Sequence, residues 1–175
     1  MWLTVNRLLV RAESFVSAFF LVCLVALVLL QVFSRYLFET PLSWTEELAR
    51  YAMIWLVFIA AAQITSGDGH IVITLVDRFS SPLALKLFVI LSRLTVFSAC
   101  ALLLPGGWRL VTTMMRVSAP ASGIPLGYIY LAGLVGLFLI GVHSLVSAVL
   151  IALGRIPATA PPELMETGGI DESRP

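Results

Sequence analysis

Long apolar segments alternate with short polar ones along most of the chain. Four of them are long enough to cross a bilayer, whose hydrocarbon core takes about 20 helical residues. The pattern predicts membrane-spanning helices over residues 12–34, 43–65, 82–104 and 126–153. We therefore expect an all-α integral membrane protein with one four-helix membrane domain over residues 1–156.

Two boundaries of this domain depend on proline and glycine. The sequence Pro105-Gly106-Gly107 can end the third helix or kink it. Apolar spacing resumes in the following WRLVTTMMR, which favours a kinked, tilted helix that continues to about residue 116. Residues 157–175 are rich in proline, glycine and acidic residues and lack an apolar period, so they are predicted to form a disordered cytoplasmic tail.

The composition also indicates a lipid environment. Of the 175 residues, 59% are hydrophobic and only 12% are charged, which is too little polar surface for a soluble domain of this size. The net charge of +1 gives no reason to expect binding to nucleic acid. Four membrane helices leave no room for a second folded domain.

Few side chains in the apolar segments could carry redox or metal chemistry. Cys23 and Cys100 lie apart, without a CxxC motif or a neighbouring histidine, so we predict neither a disulfide nor a metal site. A membrane haem needs a pair of deep histidines, whereas His143 lies within the fourth helix and His70 in a loop. We expect no cofactor, and we predict that His143 makes one hydrogen bond between helices.

Charge is concentrated between the first two apolar segments, in the stretch RYLFETPLSWTEELARY at residues 35–51. Ser43 and Glu46 have the spacing of a capping box, which predicts that the second helix starts at Ser43. Glu46 and Glu47 precede Arg50 by four and three residues, the favourable order for ion pairs on one helix face. The stretch therefore predicts an amphipathic, interfacial entrance to the second helix.

Capping and ion pairing do not account for all of this stretch. Paired carboxylates also occur in proton and ion relays. Here the carboxylates lie outside the main apolar run and have arginines to neutralise them, which disfavours a relay. Helix capping does not need Arg35, Tyr36 or Trp44, so a structured contact at the membrane interface fits the stretch better than capping alone.

Arg93 is an isolated charge within the third apolar segment. A charge near the middle of a bilayer is costly unless it pairs or reaches the interface. Two interpretations are open: a buried contact with an acidic group of a partner, or an early helix start that leaves Lys86 and Arg93 near the interface. We favour the second.

The charged stretch resembles the signature of the small membrane subunit, the DctQ type, of tripartite ATP-independent periplasmic (TRAP) transporters. The segments Gly69-His70-Ile71 and Gly123-Ile124-Pro125-x-x-Tyr128-x-Tyr130 are similar to that family's segments after helix two and at the entry to helix four. The likeness covers residues from about 10 to 155. The residues that carry the first motif are Arg35, Tyr36, Phe38, Pro41, Trp44, Glu46, Glu47 and Arg50.

The resemblance implies a non-catalytic subunit of the bacterial inner membrane with cytoplasmic termini and with residues about 35–45 and 117–125 in the periplasm. One implied partner is a large membrane subunit that carries the substrate and sodium sites and moves like an elevator. The other is a soluble periplasmic protein that delivers the substrate, typically an organic acid anion. The small subunit would be a rigid scaffold for the static part of the large one, and its motif residues, with Gly69 and His70, would form or support the interface.

The basic residues favour the same orientation. With four spans both termini lie on one side, and the positive-inside rule places the more basic side in the cytoplasm. Six basic residues outside the membrane core would lie on the side of the termini and four on the other. The six are Arg7, Arg11, Arg78, Lys86, Arg155 and Arg174, and the four are Arg35, Arg50, Arg109 and Arg116.

Two other classes of membrane protein compete with this interpretation. A small self-sufficient transporter, such as a dimeric four-helix exporter, needs a carboxylate well inside its first helix, whereas Glu13 is predicted at the edge of that helix. A membrane redox enzyme is disfavoured by the positions of the cysteines and histidines.

Overall fold

Four helices make up most of the chain that the structure describes. The computed structural model describes residues 2–37, 39, 42–67 and 82–154. Its helices are α1 (Trp2–Leu37), α2 (Ser43–Gly67), α3 (Pro82–Met114) and α4 (Gly127–Ala152). Each contains a segment that is long and apolar enough to span a membrane. The predicted all-α fold with four membrane-spanning helices is confirmed.

The first helix begins well before the predicted start at residue 12. The residues from Trp2 to Arg11 contain neither proline nor glycine, so nothing in them ends a helix that is extended towards the N-terminus. Glu13 therefore lies about three turns inside α1 and within its apolar span, Leu8–Leu37. The expectation that Glu13 sits at the edge of the first helix was wrong.

The third helix runs through Pro105 to Met114, close to the longer of its two predicted ends. Proline removes one backbone donor from a helix, but membrane helices tolerate it more often than soluble ones do. Pro105 and Gly106 are both exposed on the surface of α3. The apolar spacing after Gly107 thus predicted the end of α3 better than the Pro-Gly-Gly sequence did.

The helices pack in the spatial order α1, α2, α4, α3. Phe20 of α1 stacks on Trp55 of α2, with ring centroids 5.5 Å apart and ring planes 11° from parallel. The chain runs up and down, so α1 and α3 end where α2 and α4 begin. We name that side of the bundle the entrance end, and the side where α1 and α3 begin the terminal end.

Glycine residues of α4 allow the neighbouring helices to approach closely. A Cβ atom on Gly136 would lie 2.8 Å from Phe58 Cβ and 3.0 Å from the Phe58 carbonyl oxygen of α2. On Gly141 it would lie 3.3 Å from Cys100 Cβ of α3. Small residues at such crossings increase the van der Waals contact that holds membrane helices together.

We expect Gly136→Ala to destabilise the membrane domain by about 1–3 kcal/mol, because the new methyl group would overlap backbone as well as side-chain atoms of α2. The measurement is the thermal unfolding midpoint of the purified protein in lipid nanodiscs. Gly106→Ala is the matched control, since a methyl group there meets nothing within 4 Å. Equal losses in the two variants would contradict the assignment of Gly136 to a close helix contact.

Two basic side chains of α3 bind the ends of other helices at the terminal end. Lys86 Nζ donates to the carbonyl oxygen of Ala152 in α4 at 3.2 Å, and Arg93 Nη1 donates to that of Thr65 in α2 at 3.1 Å. The last carbonyls of a helix lack partners within it and carry partial negative charge, so cations stabilise them. Arg93 therefore has a hydrogen-bond partner within this chain, and that partner is a helix end instead of an acidic group.

Candidate partner-binding surface at the entrance end

Helix α2 begins at Ser43, the residue that the sequence predicts, and Thr45 is fixed in its first turn. The side chain of Thr45 is fully buried, and its Oγ1 donates to the Leu42 carbonyl oxygen at 2.6 Å. The predicted capping box is not formed, because no hydrogen bond joins Ser43 to Glu46 and the Glu46 carboxylate accepts one from Arg50 instead. Thr45 thus contributes to the helix start in a way that the capping pattern did not indicate.

Glu47 fastens α2 to the connection between α3 and α4. Its Oε2 accepts hydrogen bonds from the backbone N–H groups of Ala121 at 3.1 Å and Ser122 at 2.7 Å. Its Oε1 accepts one from the Tyr51 hydroxyl at 2.5 Å. A carboxylate that receives three donors in this way is held in one position. Glu47 is therefore directed towards the α3–α4 connection, whereas the sequence pattern had placed it beside Arg50.

The connection that Glu47 holds is itself a compact turn. Backbone hydrogen bonds join Ala119 N to the Ile124 oxygen at 2.9 Å and Leu126 N to the Val117 oxygen at 2.8 Å. Gly123 adopts a φ of 71°, a conformation that glycine reaches without steric cost. The Gly-Ile-Pro segment that resembles the family pattern therefore forms the turn against which the entrance of α2 is packed.

The remaining described residues of the first motif are exposed. Tyr36 is 81% exposed and Trp44 is 40% exposed. Arg50 Nη2 lies 3.1 Å from Glu46 Oε1, and both side chains are about 60% exposed. We name these exposed motif residues the outer motif surface, which consists of Arg35, Tyr36, Trp44, Glu46 and Arg50.

The Glu46–Arg50 ion pair cannot be the main reason for these residue types. Exposed pairs one helical turn apart contribute only about 0.3–0.5 kcal/mol, because water screens them and the side chains lose entropy. Both groups keep most of their surface free for further hydrogen bonds. The outer motif surface thus combines two exposed aromatic rings with a preformed, accessible charge pair.

An apolar groove between α1, α2 and α4 opens at the same end. Phe20, Leu48, Trp55 and Tyr128 are among the side chains that line it. Tyr128 and Tyr130, predicted to lie at the membrane interface, are exposed at the start of α4. The entrance end therefore presents both polar and aromatic contact groups on one side of the bundle.

Four predicted site residues lie outside the described residues. They are Phe38, Pro41, Gly69 and His70, and the predicted loop after helix two and the tail from residue 157 lie outside as well.

Two polar contacts join α1 to other helices away from the entrance end. His143 Nε2 of α4 lies 2.8 Å from Glu13 Oε1 of α1, which is the interhelical hydrogen bond predicted for His143. Gln63 Nε2 of α2 donates to Ser14 Oγ of α1 at 2.8 Å. Within the ranges that the structure describes, His, Cys, Asp and Glu side chains form no group of three that could hold a metal ion.

Comparison with known proteins identifies the chain's family. Residues 24–154 match the family described as tripartite ATP-independent periplasmic transporters, DctQ component. A protein of Haemophilus influenzae assigned by name to the TRAP transporter small permease proteins is 31% identical over 125 residues, 71% of this chain and 74% of the relative. A second protein from the same organism, with the same assignment, is 21% identical over 134 residues, which are 77% of this chain and 81% of the relative. The chain is a multi-pass membrane protein that belongs to the DctQ family of small permease subunits of TRAP transporters.

Proposed function

We propose that this chain is a non-catalytic scaffold that holds the large membrane subunit of a TRAP transporter through the outer motif surface. One observation carries the proposal: the motif separates into an inward and an outward set. Thr45 and Glu47 bind within the chain, whereas Tyr36, Trp44 and Arg50 present exposed side chains. Residues that neither fill the core nor cap a helix are free to bind a partner.

The physical character of the outer motif surface suits a permanent contact within a membrane. Trp and Arg are the residue types that most often dominate the binding energy of protein interfaces. Aromatic rings at the bilayer surface have an apolar body and a polar edge, so they can pack against a partner helix and still reach water. Glu47 supports this role indirectly, because it fixes the helix start from which Trp44 and Arg50 project.

Family membership supports the remaining parts of the proposal. In it, the termini are cytoplasmic, the entrance end faces the periplasm of a bacterial inner membrane, and a soluble binding protein docks there transiently. The large subunit performs sodium-coupled uptake of an organic acid anion, and the present chain neither binds the substrate nor needs a cofactor. The distribution of basic residues supports this orientation by six to four.

A self-sufficient four-helix transporter or exporter is the second candidate. The position of Glu13, well inside α1, meets the requirement for a carboxylate in the first helix of such proteins. Its carboxylate is only 6% exposed and is bound to His143, however, so it does not line an open path. The burial of the Glu13 carboxylate therefore favours the scaffold function over the exporter.

The two candidates differ in what the chain does alone. We expect the tagged chain, when it is co-expressed with a large TRAP membrane subunit from the same organism, to purify in mild detergent as a stable complex with that protein. Reconstituted alone into liposomes, it should transport nothing. Purification without the large subunit, together with uptake or export by the isolated chain, would refute the scaffold and support the second candidate.

A further inference from the structure

The apolar groove between α1, α2 and α4 lies between membrane-spanning segments. Its walls include Phe20, Cys23 and Leu27, which share one face of α1, and Leu48 and Trp55 of α2. Because α1 and α2 run in opposite directions, Leu27 and Leu48 lie at its outer end. The stacked rings of Phe20 and Trp55 lie at its deep end. At the helical rise of 1.5 Å per residue, each wall is about 10 Å long.

The groove runs from the membrane interface at the entrance end towards the middle of the bilayer. Trp55 lies about 18 Å along α2 from its start at Ser43, and the hydrocarbon core of a bilayer is about 30 Å thick. Tyr128 also lines the groove and is exposed at the start of α4, where aromatic rings mark the level of the lipid headgroups. A molecule in the groove would therefore have one end among the headgroups and the other deep in the hydrocarbon.

Contacts of α1 with α2 and α4 close the groove below its deep end. Glu13 lies about 10 Å along α1 from Phe20, and its Oε1 is 2.8 Å from His143 Nε2 of α4. Ser14 accepts a hydrogen bond from Gln63 of α2. Above this level α1 and α4 both pack extensively on α2 but not on each other. The groove is therefore a wedge that is closed at its base and open towards the lipid.

The chemistry of the lining favours hydrocarbon as the filling. The groove surface is almost entirely apolar, and the hydroxyl of Tyr51, one of the lining residues, is engaged by Glu47. A water molecule in a cavity needs two to four polar partners, which this lining does not supply. An empty groove would leave the atoms of its walls without dispersion contacts. An apolar molecule that fills the space restores those contacts.

The groove is continuous with the lipid-facing surface of a chain that crosses the membrane, so phospholipid hydrocarbon has direct access to it. Its volume of about 280 Å³ is that of roughly nine methylene groups, at about the 30 Å³ that a water molecule takes in the liquid. A spanning helix of a second copy or of a partner is about 30 Å long, three times the length of the groove. The dimensions therefore fit a flexible acyl chain better than a helix.

We propose that the groove binds an acyl chain of a phospholipid whose headgroup lies at the entrance end. The bound acyl chain fills the space between α1 and α4 and becomes part of the packing of both helices on α2. The proposal concerns this chain alone, and it does not depend on whether the outer motif surface binds the large subunit.

A photoreactive phosphatidylcholine with a diazirine in the middle of an acyl chain tests the proposal. The full-length chain is reconstituted with this lipid, extracted into mild detergent, exchanged to remove bulk lipid and then irradiated. We expect lipid adducts on Cys23 or Trp55 at the deep part of the groove, and none on Phe15, which is 77% exposed on α1 outside it. Equal labelling of Phe15 and the groove residues, or no adduct in the groove, would overturn the proposal.

Cys23→Phe tests the same site by filling it. The added ring occupies the volume that the acyl chain needs, so the amount of phospholipid retained per chain in native mass spectrometry should fall at least about tenfold. Ala18→Phe is the matched control, because it adds a ring of the same kind to an exposed position of α1 outside the groove. Equal retention in the two variants would contradict the proposal. If Cys23→Phe does not fold, the labelling of the wild-type chain still decides.

Two other occupants would be recognised by the same labelling. If the groove is labelled in the isolated chain but not in its complex with the large subunit, that subunit fills the groove and the proposal is wrong. If the isolated chain purifies as a dimer whose groove residues carry no lipid, a second copy fills the groove, and the proposal is likewise wrong. Labelling of the groove in every state that purifies supports the lipid.

Discussion

Replacing Trp44 and Arg50 together by alanine is expected to reduce the amount of large subunit that co-purifies with the chain by at least about tenfold. The reason is that buried Trp and Arg anchors at interfaces often contribute about 2 kcal/mol or more each when truncated. Neither residue belongs to the buried core, because Trp44 is 40% exposed and the Arg50 side chain 61% exposed in the isolated chain. The thermal unfolding midpoint of the isolated variant should therefore stay close to that of the wild type.

The matched control is the double substitution of Trp108 and Arg109 by alanine. These residues have the same chemical types, are exposed near the same end of the bundle and lie outside the motif. We expect that variant to retain the large subunit. If the motif variant instead co-purifies normally but transport is lost, the outer motif surface serves the docking of the binding protein, and its assignment to the large subunit is wrong.

Replacing Glu47 by glutamine should loosen the connection between α3 and α4. The change removes the negative charge and turns one of the two acceptor oxygens into an amino group, so the donors from Ala121, Ser122 and Tyr51 cannot all be satisfied. We expect the backbone amides of Ala121 and Ser122 to exchange with deuterium about tenfold faster, as measured by hydrogen–deuterium exchange with mass spectrometry. Association with the large subunit should weaken in parallel, because the start of α2 is less firmly held.

Glu46→Gln is the control for this effect at the adjacent residue. Among the described residues, Glu46 hydrogen-bonds to the exposed Arg50 and not to the α3–α4 connection, so its replacement should leave exchange at Ala121 and Ser122 unchanged. Equal acceleration in both variants would mean that charge at the entrance end, and not the specific contacts of Glu47, orders the turn.

Features set by neighbouring residues could be predicted from the sequence. The start of α2 at Ser43, the pairing of Glu46 with Arg50 and the presence of four spans depend on spacing within one helix or on local hydropathy. The start of α1 was misplaced because the continuous apolar run begins only near Ala12, although no proline or glycine from Trp2 to Arg11 ends the helix before it.

Contacts between distant residues could not be derived in this way. The bonds from Ser122 to Glu47 and from His143 to Glu13 join different helices, and no local period encodes which face of α4 meets which neighbour. The depth of His143 in an apolar segment was enough to predict that it makes a hydrogen bond between helices. It was not enough to predict that the partner is Glu13. The same applies to Arg93, whose partner is a backbone oxygen that has no sequence signal at all.

Site-specific photo-crosslinking in native membranes is the most direct test of the central claim that the outer motif surface contacts the large subunit. A photoreactive amino acid replaces Tyr36 or Trp44 in one pair of variants and Trp108 in the control, all of which are exposed. We predict crosslinks to the large subunit from positions 36 and 44 and none from position 108. Crosslinks from 108 alone, or only lipid adducts from 36 and 44, would contradict the account.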